Sequence, residues 1–123
     1  MERPGWSRTP DGQILVELPS GLAIIRRRKH EPIDFDALSS QELLWRTNKV
    51  NGSKFLPSWD LDSCVGWLQE RLDELGWHRP PGCAAKADFA LNQPVGYANG
   101  QQVNTIRIVS DGHYVHAYPV EDQ

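Results

Sequence analysis

Four side chains near the end of this chain can do chemistry together: Arg107, Tyr114, His116 and Tyr118. Asp111-Gly112 lies between two β-patterned segments and is a two-residue turn signal, which fixes hairpin register. With that turn Ser110 faces His113, Val109 faces Tyr114, Ile108 faces Val115, Arg107 faces His116 and Thr105 faces Tyr118. Side chains alternate along a strand. Ile106, Ile108, Val115 and Ala117 therefore share a core face, and Thr105, Arg107, Val109, Tyr114, His116 and Tyr118 share the other. Such a set suits metal-free phosphodiester cleavage. An imidazole titrates near neutrality and can move the proton of an attacking ribose hydroxyl. A guanidinium can hold the phosphate and stabilise charge building on it. A phenol can donate to the same oxygens or stack on a base. The catalytic set expected is Arg107, His116 and Tyr118, with Thr105 and Tyr114 as substrate contacts. The competing reading makes the tyrosines half-buried sheet residues and pairs Arg107 with His116 at the surface.

The run Arg26-Arg27-Arg28-Lys29-His30 is the one basic cluster. As a strand end it reads as a solvated edge protected from aggregation by charge, with His30 at its exposed tip. Read for function, it is a small anionic contact, for RNA backbone or for an acidic protein partner. Arg28 and His30 are then helpers in substrate binding.

The ending Asp111-Gly112-His113-Tyr114-Val115-His116-Ala117-Tyr118-Pro119 resembles the final hairpin of bacterial ribonuclease toxins of the barnase/EndoU/colicin/RelE type. Many of these close on a strand of the form T-A-[YF]-P, and in some the polar residue and the aromatic two places on belong to the active site. The resemblance implies the first role for His116 and the second for Tyr118. It covers about a sixth of the chain. His116 stands where those toxins more often show threonine, and the hairpin ahead of the helices departs from their helix-first order.

The remaining candidates are read structurally. His78 beside Trp77 sits at a helix exit, where a cation complements the dipole. His113 and His116 are three apart in a strand and point to opposite faces, so they cannot share a metal. Cys64 reads as a small buried thiol, and Cys83 has no partner at ligand spacing. No metal site, cofactor motif, glycine-rich phosphate loop or carboxylate pair is evident.

These side chains need a scaffold, and Asp60 to Gly76 anchors it. Leu61, Cys64, Val65, Leu68, Leu72 and Leu75 form one helical stripe, with Asp60 as the N-cap and Gly76 as the left-handed stop. Asp62, Ser63, Glu70, Asp73 and Glu74 face water, and Trp59 and Trp77 seal the ends by packing. Ser39-Ser40-Gln41-Glu42 has the form of a capping box opening a short helix to about Asn48. Met1 to Gly12 reads as an irregular arm. Gln13–Leu18 and Leu22–Arg28 form a hairpin about Pro19-Ser20-Gly21. His78 to Pro94 reads as loop, broken at Pro80-Pro81-Gly82. Asn99-Gly100 and Asp111-Gly112 then bound a three-stranded meander whose middle strand is Gln101 to Ser110.

The expected fold is a single α+β domain over residues 1–123, in the order β-β-α-α-β-β-β. Its antiparallel sheet, the N-terminal hairpin plus the C-terminal meander, packs against two helices. With 123 residues there is room for one core. The net charge of −3 gives no global attraction to nucleic acid or anionic lipid. No apolar run approaches a membrane span, and Met1-Glu2-Arg3-Pro4 lacks the layout of a secretory signal, so a cytoplasmic location is expected. Two functions follow: a small metal-independent endoribonuclease of bacterial toxin type, or a protein-binding module of the immunity, inhibitor or regulatory kind. The second would work through exposed tryptophan and the acidic back of the long helix. The partners expected are accordingly RNA or a protein.

Overall fold

The computed structural model describes residues 5–18, 23–77, 85–110 and 114–122. The turns at Pro19-Ser20-Gly21, Pro80-Pro81-Gly82 and Asp111-Gly112 lie outside the described residues, as do His78, Cys83 and His113.

The class is mixed α+β, and the sheets are arranged differently from the expectation. In chain order the elements are β1 (Trp6–Arg8), β2 (Ile14–Glu17), β3 (Ala23–Arg26), a 3-10 turn at Arg28–His30, α1 (Ser40–Thr47), β4 (Lys54–Phe55), α2 (Leu61–Leu75), β5 (Ala85–Ala90), β6 (Gly96–Ala98), β7 (Gln101–Val103), β8 (Thr105–Ser110) and β9 (Tyr114–Val120). A six-stranded sheet runs β1-β2-β3-β9-β8-β5, and a three-stranded sheet runs β4-β6-β7.

The long helix forms as its pattern dictates. The Asp60 side chain accepts from Ser63 N, and Gly76 closes the helix at φ 72. Cys64, Val65, Leu68 and Leu72 are buried in one cluster with Val16, Ile24, Ile106, Ile108 and Val115. The expected core face of β8 and β9 is therefore the face that α2 covers. The capping box of α1 is also present. That helix does not lie across the sheet as a second layer: Thr47 is its one buried residue, and its Leu44 backs onto Gly100 of the β6–β7 turn. Asn99 and Gly100 both take positive φ, 49 and 76, the pattern a two-residue type I′ turn needs.

Four expectations are corrected. The N-terminal arm is not wholly irregular, because Trp6 packs against the core and draws β1 onto β2 in the register Trp6–Val16. Ala85–Ala90 is a strand rather than loop, paired along its whole length with β8. Gln101–Ser110 is two strands in different sheets, parted at Asn104. There the carboxylate of Asp122 accepts from the Asn104 amide at 2.9 Å and from the Thr105 hydroxyl at 2.7 Å. Lastly, the sheet is not all antiparallel: β3 runs parallel to β9, with Ala23 beside Tyr114 and Ile24 beside Val115.

The parallel pair positions everything else. Because β3 and β9 run the same way, the chain leaving β3 emerges at the end of the sheet where β9 carries His116 and Tyr118. Glu31 is extended (φ −67, ψ 149), as a residue preceding proline prefers. It stops the 3-10 turn after three residues and leaves His30 over the sheet.

Candidate functional site

The face of the large sheet away from α2 carries Arg107 and Val109 on β8, and Tyr114, His116 and Tyr118 on β9. This is the face the alternation assigned. The register differs by two residues from the two-residue turn reading: Arg107 stands opposite Tyr118, Val109 opposite His116 and Thr105 opposite Val120. An even slip preserves the side-chain alternation, so the set survives while its pairs change.

Above this face opens a groove of about 1230 Å³. It is lined by Arg107, His116 and Tyr118 of the sheet, by Arg28 and His30, and by the end of α1 with Asn48, Lys49, Gly52 and Ser53. Thr105 and Tyr114 are not in the lining. Thr105 is buried, its hydroxyl engaged by Asp122, and Tyr114 lies on the same sheet face two residues before His116, 39% exposed.

At the centre three rings stack. His30 lies 4.8 Å from Tyr118, centroid to centroid, at an interplanar angle of 10°. His116 lies 5.7 Å from the same ring at 19°. His30 is not the solvated strand tip expected from sequence, because only 5% of its surface is exposed. Its Nδ1 is 2.7 Å from the carbonyl oxygen of Ser53. A carbonyl can only accept, so Nδ1 carries the proton and Nε2 is the ring's acceptor. Burial pushes the imidazole pKa down to about 4, against the opposing pull of the Ser53 carbonyl, and the nearby charges of Lys29, His116 and Lys54 lower it further. At neutral pH His30 is thus a neutral base of fixed tautomer.

The loop that holds His30 is tied from below. The Lys54 ammonium, on a side chain 7% exposed, donates to the carbonyls of Asn51 and Gly52 at 2.8 Å each. Desolvation lowers its pKa to about 8, with Arg46 and Lys29 adding to the shift.

Arg107 reaches the groove already paired. Its Nε and Nη2 donate to both oxygens of Asp88 at 2.8 and 3.0 Å. That pair, with a smaller contribution from the nearby Tyr118 phenol, holds the guanidinium above its usual range despite desolvation, and it draws the Asp88 carboxyl below the usual one. The cations on the groove that carry no ion pair among the described residues are Arg27, Arg28, Lys29 and Lys49. Opposing acids sit at the ends. Asp11, its carboxyl lowered first by the Thr9 hydroxyl, is at one, and Glu121, bonded to Asn99, and Asp122 are at the other.

Comparison with protein-family models, with curated proteins and with solved structures finds no match. Among the described residues no cluster of three or more His, Cys, Asp or Glu side chains is placed to hold a metal ion, and no helix is long and apolar enough to cross a membrane. Five of the seven expected site residues meet in one groove. Asp88, Lys49, the Ser53 carbonyl and the Asp122 clamp were missed. A backbone carbonyl leaves no mark in a sequence, and Asp88 stood in a stretch read as loop. Lys49 follows the capping-box helix within one turn, and that spacing was the available signal.

Proposed function

We propose that the chain is a small metal-independent endoribonuclease that cleaves RNA by transesterification. The supporting observation is the pair of imidazoles, one on each of two elements, both stacked on Tyr118 in a groove edged by cations that carry no ion pair among the described residues. In the proposed step the ribose 2′-oxygen attacks the adjacent phosphorus and the P–O5′ bond breaks. His30, neutral with Nε2 as acceptor, takes the 2′-hydroxyl proton. His116 returns a proton to the leaving 5′-oxygen. The products are a 2′,3′-cyclic phosphate and a 5′-hydroxyl. Arg28, Lys29 and Lys49 neutralise the RNA backbone, while Arg107, held by Asp88 across from Tyr118, stabilises charge building on the phosphate. The likeness of the last hairpin to ribonuclease toxins supports the same reading.

The second reading is a non-enzymatic protein-binding module. Its support is the exposed apolar surface of Leu44, Trp45 and Val50. Expression in bacteria separates the two. The nuclease arrests growth and degrades cellular RNA, and His116→Ala relieves both; a binding module leaves growth and RNA intact.

A further inference from the structure

We infer that the segment from Leu44 to Val50, at the end of α1, is a binding track for single-stranded RNA that continues the groove, with Trp45 as its base-stacking platform. This rests on the reading of the groove as an RNA site and extends it to the class of substrate.

Four large hydrophobic side chains are exposed among the described residues, and three fall in this segment: Leu44 (51%), Trp45 (63%) and Val50 (87%). Within α1 only Thr47 is buried, and Val50 lies beyond the helix end. Arg46 and Lys49 are interleaved with these three, and neither is in an ion pair among the described residues. The track adjoins the groove at its end, because Asn48 and Lys49, which follow the helix, line the groove. It is also held in place. Thr47 Oγ1 accepts from Gly100 N at 2.8 Å, and the Thr47 carbonyl accepts from Asn99 N at 2.8 Å.

Among the described residues the groove offers no free aromatic platform, since the Tyr118 ring is already stacked with His30 and His116. An RNA chain whose phosphate sits there must stack its neighbouring bases elsewhere. An exposed indole flanked by unpaired cations has the composition of a single-strand platform, in which aromatics take bases and cations follow the backbone. A duplex keeps its base faces internal and cannot use it.

The test uses a fluorescently labelled single-stranded oligonucleotide methylated at every 2′-oxygen, which cannot be cleaved by this chemistry, and reads binding by anisotropy. Trp45→Ala is expected to weaken binding roughly tenfold, with Trp45→Phe recovering most of the loss. Circular dichroism checks that both variants are folded. The same sequence as a duplex is expected to bind more weakly and to ignore the Trp45→Ala change. Unchanged single-strand affinity in Trp45→Ala, or equal sensitivity of the duplex, overturns the inference, as does a segment that captures a protein while leaving oligonucleotide binding untouched. Because the probe cannot react, the two readings fail separately. Trp45-dependent binding without cleavage of ordinary RNA upholds the track and removes the nuclease. Cleavage without Trp45 dependence does the reverse.

Discussion

Asp88 on β5 grips Arg107 on β8 with both carboxylate oxygens, at 2.8 and 3.0 Å, directly across the strand pair. A fork-to-fork pair of this kind fixes the plane of the guanidinium. Arg107 stands opposite Tyr118 in the β8–β9 pair, and Tyr118 is the ring on which both imidazoles stack. Asp88→Ala is therefore expected to lower RNA cleavage about tenfold while costing about 1 kcal/mol or less in stability, as a half-exposed pair should. Steady-state kinetics beside urea denaturation checks the split. A stability loss of several kcal/mol with unchanged turnover would make the pair a structural brace only.

His30 makes stability depend on pH in a window set by its shift from 6.5 to about 4. Between those values the unfolded chain binds a proton that the folded chain refuses, so stability rises with pH across the window. The contribution is present above about 6.5 and lost as pH falls to about 4, a difference on the order of 3 kcal/mol. Urea midpoints of the wild type are expected to drop between pH 7 and pH 4.5 more than those of His30→Asn. Parallel drops in the two proteins would contradict the buried, neutral assignment.

Gly96 is where the small sheet meets the large one. A Cβ built there would lie 2.3 Å from the Lys54 carbonyl oxygen and 2.6 Å from the Pro119 ring, both in packed strands with no room to yield. Gly96→Ala is expected to destabilise the fold by about 3 kcal/mol, as overpacking does, and to loosen β4 beneath the loop that holds His30. Differential scanning calorimetry reads the loss. A melting temperature within a degree of wild type would show that the two sheets separate freely.

Thr47 couples α1 to the turn at Asn99-Gly100. Its hydroxyl donates to the Leu43 carbonyl at 2.7 Å and accepts from Gly100 N at 2.8 Å, on a side chain 2% exposed. Thr47→Val keeps the shape and leaves the Gly100 amide without its acceptor, an expected cost of about 1–3 kcal/mol. Faster hydrogen exchange at the Gly100 amide, with α2 unaffected, is the signature expected.

Much of this architecture is legible in the sequence where local chemistry decides it. The α2 stripe with Asp60 and Gly76, the capping box at Ser39 and Glu42, and the Asn99-Gly100 turn all form as written. Alternation also assigns the face shared by Arg107, His116 and Tyr118. Pairing between distant segments is a different matter. Nothing local marks β3 as the parallel neighbour of β9, yet that choice brings His30 onto Tyr118; an antiparallel neighbour would send the basic run to the opposite end of the sheet. Ala85–Ala90 does alternate, with Ala85, Ala87 and Phe89 half-buried and Lys86, Asp88 and Ala90 exposed. Alanine, lysine and aspartate are weak strand formers, and the alternation was hidden beneath them. The break at Asn104 depends on Asp122, a carboxylate eighteen residues away, beyond any local pattern.

In the proposed reaction two imidazoles work as a proton-transfer pair about one phosphate. The direct measurement is cleavage of a single-stranded RNA by the purified protein in excess chelator, with the product ends identified by mass spectrometry. The wild type is expected to yield 2′,3′-cyclic phosphate and 5′-hydroxyl ends, and His116→Ala to lose at least a hundredfold in rate while remaining folded. Intact RNA under these conditions, or cleavage by His116→Ala at the wild-type rate, would contradict it.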